Sequence, residues 1–303
     1  MKRNSPKGIL FLISAAVVWG GAFVVQCLVS ERITPLFFNA ARFFVGAISL
    51  IPVIFIFEKN ATDKKMLKNT VKVGVLAGII LCTASYLQQL GIGLTDSAGK
   101  SGFITGLYMV FVPFIGIFFG RKTALKSWIG AILGVAGLFF ICMSESKLTF
   151  TVGDLVLIVG AFMYAAHIVV IDRHGNAIYS IRFSAVQFLT SAIISFIGAL
   201  IFEPVGIEPL LNSVIPILYC GILSVGVGYT FQTLGQKFSE PTSAAILLST
   251  EAVFSALFGA IFLNERMEPI SYIGCALIFA GIIIAQINLR PIKRKYHFKR
   301  KQQ

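Results

Sequence analysis

Charged residues are scarce in this sequence, at 13% of its 303 positions. A soluble protein of this size carries about 25% charged and about 45–50% apolar residues. This chain is instead 56% hydrophobic, with a mean hydropathy of +0.85. Apolar segments recur from one end to the other and leave no room for a soluble domain. We therefore expect an all-α integral membrane protein with several spans.

Residues that hold metals or nucleotides are also sparse. The five cysteines lie inside apolar segments without a CxxC spacing, and the three histidines are scattered. Neither a disulfide framework nor a zinc site is expected, and without a Walker-type motif ATP cannot drive the chain directly. The net charge of +13 comes from short basic clusters between apolar segments, which argues against a nucleic-acid partner. We expect no cofactor and no enzyme activity, and the lipid bilayer as a partner.

Ten apolar segments qualify, or nearly do, as membrane spans, which need about 20 residues each. The first has 22 residues and no clear cleavage site, so it is interpreted as a retained span rather than a signal peptide. The fifth is the weakest. The predicted spans are 8–29, 36–57, 71–94, 100–119, 127–143, 153–172, 181–202, 213–234, 242–263 and 271–289.

Basic residues are distributed unevenly between the two ends of these spans. If the N-terminus is inside, the inner segments hold 21 lysines and arginines and the outer segments hold four, while Arg42 falls within a span. Inner loops of membrane proteins carry such an excess. The pattern predicts an even number of spans in the cell membrane, with both termini cytoplasmic.

The two halves of the sequence are similar at an offset of about 144 residues. YLQQLG (86–91) corresponds to YTFQTLG (229–235), and SWIG (127–130) corresponds to SYIG (271–274). Each half has five spans, so the second copy must enter the membrane inverted, as in many secondary transporters. The alternative is chance likeness between apolar helices. The predicted units are a first repeat at 1–143, a second, inverted repeat at 144–289, and a basic cytoplasmic tail at 290–303.

Several motifs, in this order, resemble the EamA-like members of the drug/metabolite transporter superfamily. They cover nearly the whole chain: WGGAF (19–23), ARFFVGA (41–47), the stretch from Tyr86 to Phe114, LLSTEAVFSALFGAIFLNER (247–266) and SYIGCALIFAGI (271–282). The resemblance implies ten spans in two five-helix repeats, and export or exchange of small organic metabolites.

Two positions depart from the pattern of that family. Gly120 is followed by Arg121 where the family often has Gly-Glu, and Glu251 is followed by Ala252 where the family often has Glu-Pro. The missing proline predicts a straighter ninth span, and the missing acid weakens any mechanism with two symmetric acids. Substrate and coupling therefore do not carry over from the family.

Glu251 is the one ionisable residue between Pro241 and Asn264. A charged acid at the centre of a membrane helix costs roughly 2.5–3.5 kcal/mol on insertion scales, so the protonated form is favoured unless a cation or water compensates. Glu251 is the leading candidate for a proton-binding or amine-binding group between the halves. The alternative is a structural acid, hydrogen-bonded through Ser249, Thr250 or other neighbours.

Two further ionisable residues lie within predicted spans. Arg42, in span two, is a candidate partner of Glu251 or of a substrate carboxylate. Its position near a helix end favours the alternative, in which the side chain extends to the interface. His167, in span six, is a candidate proton relay or a satisfied core histidine.

Uncharged polar side chains in the spans can orient a solute at less cost than charges. Tyr86 and Gln89 are spaced i, i+3, and Tyr229 and Gln232 repeat that spacing. Gln88 is a further uncharged polar residue of the spans. As substrate-binding candidates we select Tyr86, Gln89, Tyr108 and Gln232. Hydrogen bonding between helices is the alternative.

Trp19, Gly20 and Gly21 lie in the middle of span one. Adjacent glycines allow close helix approach and bending, and the indole is a candidate cavity wall. Gly20, Gly21 and Pro113 are therefore candidate gating or packing residues.

These features predict a secondary active transporter that moves a small organic solute by alternating access. An amino acid or related amine is the favoured solute, export is the favoured direction, and protons are a candidate coupling ion. A facilitative exchanger or a multidrug exporter of lipophilic cations is the alternative. A membrane enzyme acting on lipids is more distant, because it would need clustered acids, histidines or a nucleophile near one interface.

Overall fold

The computed structural model describes residues 5–95, 97–120, 123–142, 151–204, 206–264 and 269–286. Within these ranges every regular element is helical, which confirms the predicted all-α class. The predicted basic tail at 290–303 lies outside the described residues.

Most of the long helical segments are continuous, and a few are divided into shorter helices. They are α1 (Pro6–Val29), α2 (Pro35–Phe57), α3 (Lys64–Thr95), α4 (Ala98–Gly106), α5 (Tyr108–Phe118), α6 (Leu125–Cys142), α7 (Val152–His174), a 3₁₀ turn (Gly175–Ala177), α8 (Ser180–Phe202), α9 (Ile207–Leu211), α10 (Val214–Leu218), a π-helical segment (Tyr219–Tyr229), α11 (Thr230–Gln236), α12 (Pro241–Leu248), α13 (Glu251–Phe262) and α14 (Pro269–Gln286).

Eight helical stretches among the described residues are long and apolar enough to cross a membrane. The fifth and tenth predicted spans appear as shorter apolar helices, Leu125–Gly137 and Tyr272–Ala285. Predicted and observed bounds agree within two residues, except at the end of the tenth span, which lies outside the described residues, and at the start of the third. α3 begins early, at Lys64, because Asp63 Oδ1 accepts hydrogen bonds from the next backbone N–H groups, at 2.9 Å from Lys65 and 3.2 Å from Met66.

Two membrane-crossing helices are interrupted near their middle. α4 and α5 are separated at Leu107, and α12 and α13 are separated at Ser249 and Thr250. The sequence offset of 144 relates Leu107 to Glu251, the first residue of α13. Span nine is therefore interrupted, although it lacks the proline that the family often has after the glutamate. The Ser249 and Thr250 hydroxyls bond carbonyls three residues back, at 2.9 and 2.7 Å, and stabilise the interruption.

The most extensive helix packing joins the first half of the chain to the second. α6 packs on α14, α3 on α7, α2 on α8, and α1 on α13. α6 and α14 approach closely at glycines, which leave room for the facing backbone. A Cβ atom on Gly137 would meet the Gly274 carbonyl, and one on Gly281 would meet the Gly130 carbonyl. Large apolar side chains such as Phe55 and Ile201 remain exposed on the outside, as expected for a surface that faces lipid.

The ends of α2 and α8 are joined by reciprocal carboxylate caps. Glu58, at the end of α2, accepts backbone hydrogen bonds at 2.9 Å from Ile181 and Arg182, at the start of α8. Glu203, at the end of α8, accepts bonds at 3.0 Å from Leu36 and Phe37, at the start of α2. Each carboxylate satisfies N–H groups that a helix leaves unpaired at its N-terminus.

The three pairs of positions in these caps all differ by 145 residues: 58 and 203, 36 and 181, and 37 and 182. The cap that the first half provides to the second is thus repeated, at the opposite end of the helix pair, by the second half. This reciprocity requires α2 and α8 to run antiparallel.

Replacement of either capping acid by alanine is expected to destabilise the protein by about 1–2 kcal/mol, since two backbone donors lose their acceptor. In detergent, the apparent melting temperature of Glu58→Ala and of Glu203→Ala should fall by about 2–8 °C. Glu208→Ala is the control, because Glu208 is exposed and should leave the melting temperature unchanged. An unchanged melting temperature in both capping variants would show that the caps contribute nothing to stability.

Candidate functional site

A small cavity lies within the bundle, where the interruptions of the two broken helices meet. Its volume is about 30 Å³, which corresponds to roughly one water molecule. α1, α2, α3, α4, α5, α7, the π-helical segment and α13 all contribute to its wall. The lining residues are Trp19, Ala22, Phe23, Gln26, Arg42, Gln88, Thr105, Tyr108, Tyr164, Ser224, Tyr229 and Glu251.

Glu251 contributes the acidic group of this cavity. It is the first residue of α13, and only 3% of its surface is exposed. The hydroxyl of Tyr108, the first residue of α5, lies beside its carboxyl group, and neither this hydroxyl nor Glu251 Oε1 bonds any other group among the described residues. The helix interruptions thus place a carboxyl and a phenol side by side with unused hydrogen-bonding capacity.

Arg42 contributes the basic group, from α2. Its Nε donates to Asn39 Oδ1 at 2.8 Å and its Nη1 donates to Gln26 Oε1 at 2.6 Å. Nη2 meets no hydrogen-bond acceptor among the described residues, and the Cys220 thiol lies near the guanidinium. The guanidinium lies over the Phe38 and Phe43 rings, 5.2 and 5.3 Å from their centroids. With 3% exposure, Arg42 does not extend to the interface. That preferred expectation was wrong, because polar and aromatic partners hold the side chain inside.

The two charged groups share the cavity but do not form an ion pair. The hydrogen bonds of Arg42 go to Asn39 and Gln26, and no oxygen of Glu251 lies within salt-bridge distance of it among the described contacts. Each group therefore keeps one polar atom available to a third partner.

Hydrogen-bonded phenols and amides connect the remaining wall. The Tyr229 hydroxyl donates to the Tyr164 hydroxyl at 3.2 Å, which donates to Gln88 Oε1 at 3.0 Å. Gln88 Nε2 donates in turn to Thr105 Oγ1 at 3.4 Å. This chain links the π-helical segment, α7, α3 and α4 around one side of the cavity.

Trp19 closes the cavity against the π-helical segment. Its indole Nε1 donates to the Ser224 carbonyl at 3.0 Å, and its ring lies 4.8 Å from that of Tyr229. A Cβ atom on Gly228 would meet the indole nitrogen, so glycine is needed there to seat the ring. π-helical turns are rare, and they occur frequently at functional sites.

The sequence profile of the EamA-like transporter family matches this chain twice, over residues 6–143 and 151–286. The chain belongs to the EamA-like transporter family. It is thus a multi-pass membrane transporter, as the motif resemblance predicted.

Relatives of this EamA-like transporter span nearly its full length. It is 26% identical to an uncharacterized transporter of Archaeoglobus fulgidus, over 92% of this chain and 86% of the relative. It is 27% identical to the uncharacterized transporter YoaV of Bacillus subtilis, over 92% and 96%. It is 19% identical to the uncharacterized inner membrane transporter YedA of Escherichia coli, over 91% and 90%.

A solved crystal structure also aligns with this chain, with a TM-score of 0.72 at 19% identity, over 92% of this chain and 96% of the other. At that identity the likeness concerns the fold alone. These similarities indicate a transporter and name no solute.

Four of the predicted substrate-binding residues of this EamA-like transporter line the cavity together: Glu251, Arg42, Trp19 and Tyr108. Gln89 is buried next to it and donates to the Gln26 carbonyl at 3.2 Å. The other three do not line the cavity. Tyr86 is half-buried on α3, Gln232 is buried on α11, and His167 bonds Gln187 through Nε2 at 2.8 Å.

Gly20 and Gly21 occupy close contacts on the first helix of the EamA-like bundle. A Cβ atom on Gly20 would meet Phe254 on α13, and one on Gly21 would meet the Tyr219 hydroxyl. Pro113 is buried inside α5, whereas the helix is interrupted six residues earlier, at Leu107.

Gly20→Ala is expected to destabilise the protein by about 1–3 kcal/mol, because the methyl group would overlap Phe254 and approach the backbone between α1 and α13. The matched control is Gly93→Ala, whose methyl group would lie 3.5 Å from its nearest neighbour, on Ser30. In a detergent melt the first variant should lose melting temperature and the second should not. Equal melting temperatures would show that α1 and α13 separate at little cost.

The prediction from sequence did not select several residues that line the cavity. Gln26 is seven residues after Trp19, so both share a face of α1, and that spacing was a usable signal. Tyr164 precedes His167 by three residues, and Tyr164 lines the cavity whereas His167, the predicted residue, does not. Gln88 was preferred less than Gln89, its neighbour, and only the rotation of α3 in the bundle distinguishes them.

Proposed function

We propose that this protein is a secondary active transporter that moves a small zwitterionic solute, such as an amino acid, across the cell membrane by alternating access. The observation that carries the proposal is the pair of buried groups, Arg42 and Glu251, that line one cavity without bonding each other. Ionisable groups inside a membrane are costly, and they commonly mark substrate or ion pathways.

A zwitterion matches the unused capacity of both groups. An ammonium group can bind the Glu251 carboxylate, whose Oε1 atom is unpaired, with the Tyr108 hydroxyl beside it. A carboxylate can accept from Nη2 of Arg42, which is also unpaired. Charge-assisted hydrogen bonds of this kind are stronger than neutral ones, so one solute would compensate the burial of both charges.

The small volume of the cavity supports a mechanism in which the bundle must open to admit a solute. A volume of about 30 Å³ holds roughly one water molecule, whereas small-molecule sites occupy about 300 Å³ or more. The two interrupted helices at the cavity, and the reciprocal caps between α2 and α8, fit two inverted repeats that meet at a central site. That arrangement is common in secondary transporters, which bind substrates at broken helices near the midplane.

Direction and coupling follow from Glu251 in this proposal. Without an ammonium group nearby, a buried carboxyl is expected to hold a proton, because an isolated buried charge is costly. A solute ammonium would displace that proton, so that proton entry drives solute export. The excess of basic residues at one end, 21 against four, supports cytoplasmic termini in the cell membrane.

An exporter of lipophilic cations is the second candidate. The aromatic residues Trp19, Tyr108, Tyr164 and Tyr229 surround the same cavity as Glu251, and aromatic faces attract organic cations. Arg42 disfavours this candidate, because its positive charge lies in the same wall.

The test is a thermal-shift panel on the detergent-purified protein, followed by flux in liposomes. The panel compares amino acids with their decarboxylated amines, their deaminated acids, and lipophilic cations. An amino acid at 100 times its dissociation constant should stabilise the folded protein by about 2.7 kcal/mol, and the matched amine and acid should stabilise it much less. Stabilisation by lipophilic cations alone would favour the second candidate. Amino-acid flux that is absent from liposomes at every proton gradient would overturn the proposal.

A further inference from the structure

A second set of buried polar groups lies outside the cavity, toward the end of the bundle where α7 ends and α8 begins. His167 on α7 and Gln187 on α8 bond each other at 2.8 Å. Beyond that bond, His167 Nδ1, Gln187 Nε2, the Ser184 hydroxyl on α8 and Gln232 Oε1 on α11 have no partner. His167, Ser184 and Gln187 have no exposed surface, and Gln232 has 2%.

The contrast within α8 shows that burial alone does not explain these groups. Ser191 is also fully buried, but its hydroxyl bonds the Gly78 and Gln187 carbonyls, both at 2.9 Å. Ser195, one turn further, lies 3.3 Å from Cys82 Sγ. In the C-terminal half of α8, the hydroxyls of Ser191 and Ser195 thus have hydrogen-bond partners. In the half that begins at the α7–α8 turn, Ser184 and Gln187 are incompletely hydrogen-bonded.

Unsatisfied buried polar groups are rare, because each costs about 1–3 kcal/mol. A group of four such atoms between three packed helices is expected if these atoms form hydrogen bonds with water in another conformation of the protein. The set is also adjacent to the cavity. The His167 ring lies 6.1 Å from the ring of Tyr229, a cavity residue, and the Phe188 ring, one turn after Ser184, lies 6.1 Å from the same ring.

We infer that α7, α8 and α11 line a branch of the transport path that fills with water when the bundle opens toward the α7–α8 turn. This branch connects the central cavity to the membrane face that carries residues 175–177. His167 and Gln187 are the polar groups at the inner end of this branch, and His167 lies one helical turn beyond the cavity residue Tyr164. The inference rests on the proposed transport function, since a transporter must open its site to each side in turn.

Thiol labelling of Ser184→Cys, with Ser191→Cys as the matched control, tests this branch. Both serines are fully buried on α8, and cysteine is a conservative replacement for each. The reagent is the membrane-impermeant 2-(trimethylammonium)ethyl methanethiosulfonate, which reacts with thiolates that meet water. Labelling is followed by peptide mass mapping in right-side-out and inside-out vesicles, so the native cysteines can stay in place. Asn176→Cys, exposed on the α7–α8 turn, identifies the side on which that turn lies.

Ser184→Cys should react at least about tenfold faster than Ser191→Cys, as expected if the open form is populated at about 1–10%. It should react from the side that labels Asn176→Cys. Equal rates for the two buried positions, or labelling of Ser184→Cys from the opposite side only, would overturn the inference. Flux by the unmodified protein is measured in parallel. If flux is active and Ser184→Cys is not labelled, the proposed branch is wrong and the transport proposal stands. If Ser184→Cys is labelled and no flux is found, the transport proposal is wrong and the branch stands.

Discussion

Glu251→Gln is expected to lower transport of an amino acid by about 100-fold, which corresponds to the loss of one charge-assisted contact worth about 3 kcal/mol. Glutamine keeps the shape of the side chain and the position of its oxygen beside Tyr108, but it can neither bind an ammonium group as an anion nor exchange a proton. Initial rates of flux in liposomes, at equal protein content, measure the effect.

Folding should not suffer in this variant, because the substitution removes an acid that the membrane interior disfavours. The apparent melting temperature of Glu251→Gln should equal or exceed that of the unmodified protein. Glu208→Gln, at an exposed position between α8 and α10, should leave both flux and melting unchanged. If Glu251→Gln retained normal flux with an unchanged pH dependence, Glu251 would be a structural acid.

Hydropathy alone located the spans of this protein, because a membrane helix must be apolar over most of its length. It could not locate the interruptions at Leu107 and at Ser249–Thr250, since a helix break that is stabilised by side-chain hydroxyls leaves hydropathy unchanged. The missing proline after Glu251 does not keep span nine continuous, because local hydrogen bonding of Ser249 and Thr250 accompanies an interruption without it.

The charged residues of the candidate site were accessible to sequence analysis for a related reason. An isolated acid such as Glu251 in an uncharged span is visible against its neighbours, and so is Arg42. The uncharged wall was less accessible, because adjacent residues such as Gln88 and Gln89 point about 100° apart on a helix. Which of them meets the cavity depends on the rotation of α3 against α7 and α8, and that rotation is set by packing between the two halves.

The carboxylate-binding role that we propose for Arg42 predicts a change in selectivity rather than a uniform loss. In Arg42→Gln, affinity for an amino acid should fall by about 30- to 100-fold, as expected for a charged contact worth about 2–3 kcal/mol. Affinity for the decarboxylated amine should not fall, because that solute has no group for Arg42 to bind and the variant removes a positive charge from the same wall. Competition binding with the two solutes on the same preparation measures both.

The ratio of the two affinities is informative because Arg42 also supports the fold. Its removal leaves Gln26 and Asn39 without their charged donor, which is expected to lower the free energy of unfolding by about 1–3 kcal/mol. That loss of folding stability is the same whichever solute is measured, so it does not change the ratio. Arg42→Lys is the intermediate variant: it keeps the charge but cannot bond Gln26, Asn39 and a carboxylate through one planar fork. It should recover part of the amino-acid affinity and leave amine binding unchanged. Equal losses for amino acid and amine in Arg42→Gln would assign Arg42 to structure alone, and Glu251 with its aromatic neighbours would then bind a cation.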